Sequence, residues 1–393
     1  MNQPVLLHIV ERLENFLRKL PETIQKPILS ELTPLKELFL QQRPPRLVLT
    51  GSAKKSGPEL VRMLFGLTED EQTPSPPMSI FRWQEVAIGG RGTISILDAR
   101  GALDSTATQI QDELKRRPAD MIFFLDEADA KARARKVEIE NLIACLDWNG
   151  AAHAKAKVVG IAFSSTKARA AYNHEKEEAS HSQELASSIR KTLKTEDGLF
   201  QVVSFGSGKN LPDKAHELMS ILGRELPNAA RIEMIRISRD RETQREVAQI
   251  LVKSTTAICA AIGAQPIPLA DLPILTTLQL VMVSGIMYLS GRERSLRAAT
   301  EFIGAIGANV GVGMLLREGA RAVLKFFPGW GNVVCGMVAG AGTYAIGRAA
   351  SAFFLEGVSL KEARLTYLSS RKRRTLPVRL ATKPAETGRT KRK

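Results

Sequence analysis

In the first half of the chain, short apolar runs alternate with amphipathic stretches. Residues 47–50, 80–88, 93–98, 121–126, 158–163 and 200–205 are apolar or alternating, with turn-forming or charged residues around them, which predicts strands. Residues 58–66, 108–117, 136–148, 168–195 and 211–223 carry helical patterns, which predicts helices between those strands. The sequence GGRG at 89–92 predicts a hairpin turn, and TPSPP at 73–77 a loop. This rhythm predicts an α/β fold over residues 46–225: a mostly parallel sheet with helices on both faces.

The flanks read differently. Residues 1–45 form N-terminal helices, with Val5, Leu6, Ile9, Leu13, Phe16 and Leu17 near a 3.6-residue spacing, and Pro44-Pro45 ends them. Residues 226–253 read as one charged linker helix with Ile232, Ile235, Ile237, Val247, Ile250 and Leu251 as its apolar stripe. Residues 254–360 are apolar and Gly/Ala-rich. Asp271 is the sole charge in 254–291, and 302–316 and 326–347 have none. This predicts an all-α hydrophobic helical domain, in which the spacings Gly307/Gly311 and Gly336/Gly340 let helices approach closely. Residues 361–393 are polar and basic, and predict a disordered tail.

The stretch 47–66, LVLTGSAKKSGPELVRMLFG, is a strand, a glycine-bearing turn and a helix, which is the setting of a phosphate-binding loop. That loop uses backbone amides around the phosphates, a Lys on the β/γ oxygens and a hydroxyl on Mg²⁺. Gly51 opens the pattern. Ser56 stands where the second Gly belongs, Gly57 where the Lys belongs and Pro58 where the Ser/Thr belongs. Lys54 and Lys55 lie within the loop, and on a solvated turn they need no ligand.

On these residues the first half resembles an Era-like bacterial GTPase domain, and the second half a YcjF-type helical domain of unknown function. Together the two resemblances cover most of 43–358. The first resemblance matches Gly51 to the first loop glycine, Leu60 and Leu64 to the inward face of the helix, and Phe65-Gly66 to its end. Asp98-Ala99-Arg100-Gly101 matches the D-x-x-G element. It implies that Asp98 holds Mg²⁺ through water, if Mg²⁺ binds, and that the Gly101 amide meets the γ-phosphate. Thr73 lies where the switch threonine would be. Ser204-Phe205-Gly206, with Gly208 and Leu211, resembles the last element. The guanine-reading N-K-x-D element is replaced by Ser164-Ser165-Thr166-Lys167, which offers no carboxylate. The second resemblance rests on Pro266, Pro268, Asp271, Pro273, Gln279, Met282, Pro328-Gly329, Gly331, Tyr344, Gly347 and Phe353, to which no chemistry is assigned.

Charge and cysteines bear on location and partners. The chain of 393 residues carries a net charge of +15, and 371–393 holds ten Lys/Arg against Glu386 alone. A phosphate-bearing partner follows, either an anionic membrane surface or nucleic acid. The tail has no interleaved aromatics for base stacking, which favours the membrane. Residues 272–290 and 326–347 approach the length of a bilayer span. Cys145, Cys259 and Cys335 are far apart in apolar surroundings, which fits buried thiols in a reducing compartment. The five histidines are scattered, so neither a metal cluster nor a triad is predicted. The charged N-terminal helix is not a signal peptide.

The expectation is a membrane-associated, GTPase-like scaffold or regulatory protein with weak or lost GTP binding, at the cytoplasmic face of a bacterial inner membrane, its GTPase-like domain in the cytoplasm. Its remnant nucleotide site is Gly51, Lys54, Lys55, Ser56, Gly57, Thr73, Asp98, Gly101 and Ser204, with no catalytic residue and no cofactor expected. Its partners are anionic lipids through 254–393, an unidentified protein, and a second copy of the chain. Two alternatives stand beside it: a divergent GTPase or ATPase using GTP, Mg²⁺, Lys54 or Lys55, Thr73 and Asp98, and nucleic-acid binding through the basic tail.

Overall fold

The computed structural model describes residues 42–52, 54–68, 80–102, 104–128, 132–151, 156–163, 171–193, 199–205, 211–264, 271–307 and 330–381, with Glu22 and Lys26. They form two compact units, one over Gln42–Asp240 and one containing the described helices from Arg241 onward. The predicted N-terminal helices lie outside the described residues, apart from Glu22 and Lys26, which are helical and paired at 3.4 Å.

In the first unit the strands are β1 (Arg46–Gly51), β2 (Trp83–Ile88), β3 (Gly92–Asp98), β4 (Met121–Glu127), β5 (Lys157–Phe163) and β6 (Leu199–Phe205). The helices are α1 (Gly57–Leu64), α2 (Asp104–Arg116), α3 (Ala132–Ala151), α4 (Ala171–Leu193), α5 (Leu211–Glu225) and α6 (Asn228–Ser238). The strands form one sheet in the order β2-β3-β1-β4-β5-β6, parallel except for β2. β2 and β3 form the predicted hairpin. Gly89 and Gly90 supply the positive φ of its turn (49° and 66°), and the Arg91 amide donates to the Ile88 carbonyl.

The apolar runs are continuous rather than alternating because both faces of the sheet are covered. On one face Leu47, Leu49, Ile96, Phe123 and Leu125 pack with α1, α5 and α6 through Leu60, Leu64, Leu218, Leu222 and Met234. On the other Val48, Leu97, Ile122, Phe124 and Val158 pack with α2, α3 and α4 through Ile110, Leu114, Leu142, Leu185 and Ile189. This is the predicted α/β fold, a mostly parallel six-stranded sheet with helices on both faces.

Cys145 on α3 is buried, and that burial pushes its thiol up to about 12. Folding therefore favours the protonated thiol. This contribution is complete below the ordinary thiol pKa of about 8.5 and is lost as pH rises through the raised value. A variant retaining Cys145 alone should leave its thiol unmodified by a disulfide reagent near neutral pH, since the thiolate is the reacting form. Modification at the rate of a free thiol in the folded protein would contradict this burial.

The stretch expected as one linker helix over 226–253 is two helices. α6 belongs to the α/β unit: its Glu233 carboxylate accepts from the Thr93 amide at 3.1 Å, and Met234 and Ile237 join the core. It ends at Arg239 in the left-handed conformation (φ 54°), and the Ser238 hydroxyl accepts from the Asp240 amide. α7 (Arg241–Gly263) then opens the second unit. One side chain, Ser238, and the left-handed backbone of Arg239 end α6, and the apolar stripe continues on both sides of that break.

The second unit is helical among its described residues: α7, α8 (Asp271–Leu289), α9 (Leu296–Gly307), α10 (Trp330–Phe354) and α11 (Leu360–Ala381). α10 lies close along α7. A Cβ on Gly336 would meet the Ala260 carbonyl at 2.7 Å, and one on Gly340 the Ala260 Cβ at 3.0 Å. The close approach predicted for Gly336/Gly340 is thus met, while Gly311 lies outside the described residues. The Gln279 amide donates to the Thr343 hydroxyl at 2.9 Å and ties α8 to α10. Phe302, Phe353 and Phe354 stack together, with the Arg292 guanidinium over the last two rings.

Two expectations change here. Of the stretches read as near the length of a span, 272–289 lie on α8 and 330–347 on α10, where Leu278, Met282, Val283, Ile286, Ala341, Ala345 and Ala349 are buried among neighbouring helices, while 326–329 lie outside the described residues. A tightly packed bundle core selects the same apolar and small residues as a lipid-facing helix. Among the described residues, the helix long and apolar enough to cross a membrane is α7; 56% of its apolar window is buried, and the helix contains Lys253. The predicted tail begins as helix α11. Its start is a capping box, in which Ser359 Oγ accepts from the Glu362 amide while the Glu362 carboxylate accepts from the Ser359 amide. Residues 382–393 lie outside the described residues.

Candidate functional site

The sequential connection from β1 leads toward β3 and that from β4 toward β5, so the order of strands reverses between β1 and β4. In open α/β sheets the ligand crevice lies at such a switch point, outside the carboxyl ends of the strands. Here those ends are Gly51 of β1 and Leu125–Glu127 of β4, which are neighbours in the sheet. Gly51 has φ +86°, and a Cβ on it would stand 2.1 Å from the Leu125 carbonyl oxygen. The Ser52 amide donates to that same carbonyl at 2.8 Å. The first glycine of the motif is therefore required by strand packing alone.

Beyond Gly51 the loop is held by the protein's own charges. The Lys54 amide donates to Glu127 Oε1 at 2.6 Å, and the Lys54 ammonium lies 3.4 Å from Glu127 Oε2. In a phosphate loop such amides face the anion, and here a carboxylate occupies that role. Lys55 Nζ turns along α1 to Glu59 at 3.6 Å. Ser56 is the N-cap of α1, its hydroxyl accepting from the Glu59 amide at 3.4 Å. Gly57 is buried at the start of α1, followed by Pro58.

Asp98 ends β3, buried to 5% exposure, and Arg100 closes on it. Arg100 Nε donates to Oδ1 at 2.8 Å and its Nη2 to Oδ2 at 2.6 Å, a bidentate pair. The Arg100 backbone amide adds a bond to Oδ1 at 3.2 Å, and Nη1 donates to the Lys55 carbonyl at 2.8 Å. The guanidinium thus joins the end of β3 to the loop after β1. Gly101 follows with φ +63° and open space around its Cα.

These residues do not fit a Mg²⁺-bound nucleotide in this arrangement. The Asp98 carboxylate that would hold Mg²⁺ through water already has a cation on both oxygens. The Lys54 amide is taken by a carboxylate, and Gly57-Pro58 supplies neither ammonium nor hydroxyl.

The structure thus brings Gly51, Lys54, Lys55, Ser56, Gly57 and Asp98 to one sheet end. Ser204 is not among them. It lies on β6, separated from β1 by β4 and β5, and its hydroxyl bonds that of Ser182 on α4. Thr73 and 164–167 lie outside the described residues. Sequence reasoning missed Glu127, whose signal is weak: a second carboxylate after an apolar strand. It read Arg100 as a form of the D-x-x-G element and not as a cation facing Asp98.

A second charged cluster also escaped it. Asp126, 1% exposed, receives Arg135 of α3 at 2.9 and 3.2 Å and His181 Nε2 of α4 at 2.9 Å. All three sit on the helix side of β4 opposite the loop, and they pin α3 and α4 to the sheet. Among the described residues, no group of His, Cys, Asp and Glu has the arrangement of a metal site.

No protein-family model and no curated protein matches this chain. A solved structure titled as an oligomerised bacterial dynamin pair, which provides a mechanism for the long-range sensing and tethering of membranes, is similar at 11% identity. That similarity covers 96% of this chain and 74% of that one, with a TM-score of 0.33. A likeness of this degree carries no argument about function, which is read from the side chains above.

Proposed function

We propose that this chain is a non-catalytic, GTPase-like scaffold whose phosphate loop is liganded by its own side chains. The observation that carries the reading is the double closure of the switch-point crevice. Glu127 takes the loop amide where a phosphate would be held, and Arg100 takes the Asp98 carboxylate where Mg²⁺ would be held. The Era-like resemblance of the first unit fits this reading. In the same reading the helical unit, YcjF-type in resemblance, and the basic C-terminal residues bring the chain to the cytoplasmic face of a bacterial inner membrane. There it engages anionic lipid, a protein partner or a second copy of itself.

The test is titration of the full chain with fluorescent GTP in Mg²⁺. Binding should be no tighter than about 1 mM, worth roughly 4 kcal/mol. Arg100→Ala, which frees Asp98, should leave it equally weak, because no ammonium or hydroxyl replaces Gly57-Pro58. Micromolar affinity that disappears in Lys54→Ala/Lys55→Ala would overturn the proposal and establish a divergent nucleotide site.

A further inference from the structure

We infer that a hollow between α7 and α10 is an anion site for a phosphate-bearing group. The inference rests on the helical unit alone and stands whether or not the loop after β1 binds nucleotide. The hollow has a volume of about 160 Å³. Arg245, Gln249 and Lys253 line it from α7, at successive turns of one face. Tyr344 and Arg348, one turn apart, line it from α10.

Close packing creates the site. Gly347, beside Arg348, faces Val252, beside Lys253, and a Cβ on Gly347 would stand 2.5 Å from Val252 Cγ2. The two backbones therefore approach at this level, and the cations next to the contact are brought around one opening.

The charges there are unbalanced. Three cations meet one carboxylate, Glu356, which lies 3.8 Å from Arg245. Among the described residues, neither the Lys253 nor the Arg348 side chain forms an ion pair. Arg348 is half-buried, so part of its hydration is lost without a countercharge. An anion in the hollow would supply that countercharge to cations from both helices.

Size narrows the class. At about 30 Å³ per water, the hollow holds about five waters' worth of space. That admits one phosphate group with a few waters. Pockets that enclose drug-sized ligands measure roughly 300–1,000 Å³, so a whole nucleotide does not fit inside. The ligand is a single phosphate, either free or at the end of a lipid whose remainder lies outside the hollow.

Two arms of one experiment separate these sources, both on the full chain. In the first, inorganic phosphate is titrated while binding heat and thermal unfolding are followed. In the second, flotation is measured with phosphatidylcholine vesicles, with and without phosphatidic acid. The variants are Lys253→Gln, Arg348→Gln and the pair together. Arg297→Gln on α9 is the control for net charge.

Phosphate should raise the unfolding temperature of the wild type. Each single variant should bind about tenfold more weakly, and the double variant should not respond. Arg297→Gln should bind as the wild type does. Flotation that needs phosphatidic acid and is lost in the double variant assigns a lipid headgroup. Phosphate binding without flotation assigns a soluble phosphate compound, and the hollow then stands while the membrane reading fails. Absence of binding in both arms overturns the inference, as does an equal loss in Arg297→Gln. Lys253 is exposed and outside the core, so Lys253→Gln keeps the test decisive even if Arg348→Gln destabilises the bundle.

Discussion

Gly51→Ala is expected to prevent the α/β unit from folding. The added Cβ would lie 2.1 Å from the Leu125 carbonyl oxygen and 2.8 Å from the Leu125 nitrogen, both main-chain atoms of the neighbouring strand. No rotamer change relieves a contact with backbone. The position also has φ +86°, where an L-residue is strained by about 1–3 kcal/mol before any clash is counted. Separating β1 from β4 would break the centre of the sheet, so the total should exceed about 4 kcal/mol, against a typical domain stability of 5–15 kcal/mol. Gly101→Ala is the comparison. Its φ of +63° carries a similar strain, but no atom lies within 4 Å, so it should cost only about 1–2 kcal/mol. Urea unfolding followed by circular dichroism reads both. A Gly51→Ala protein with an unchanged midpoint would refute the packing account of this glycine.

Asp126→Ala should be the most destabilising change outside the backbone, at about 3–5 kcal/mol, because it leaves Arg135 buried without its countercharge. The Arg135 side chain is 15% exposed and donates from both Nε and Nη2 to this carboxylate, so solvent cannot take over the pairing. His181 loses its partner as well. Truncating both ends of the pair, Asp126→Ala with Arg135→Met, should recover much of the loss, since no charge is then stranded. A double-mutant cycle in urea measures this. A single-variant loss below about 1 kcal/mol would show that the cluster hydrates freely.

The sheet was legible because strands buried on both faces are apolar throughout, as at 121–125 and 158–163, and because Gly89-Gly90 marks the hairpin. The strand, turn and helix over 47–66 were legible from Gly51 and the helical pattern after it. Its closure was not, because Lys54 and Glu127 are 73 residues apart, and spacing along the chain says nothing of such a pair. Asp126, Arg135 and His181 are hidden for the same reason: they come from a strand and two helices. Composition over 361–393 averages a capped helix that buries Ala363 and Tyr367 with a basic remainder, and so concealed α11. The two halves of 226–253 share one apolar stripe, which masked the left-handed Arg239 between them.

The end of β4 also bears on folding fidelity. Met121, Phe123 and Leu125 enter one core, and Ile122 and Phe124 the other. A slip of one residue would exchange these sets with little change in apolar character, so hydrophobicity leaves the register of this central strand nearly degenerate. Asp126 and Glu127 remove the degeneracy. In the native pairing one carboxylate meets Arg135 and His181, and the other meets the Lys54 amide. After a one-residue slip, both carboxylates would miss these partners. Two adjacent acids at a strand end thus act as a proofreading device, selecting one alignment from several that an apolar core would accept.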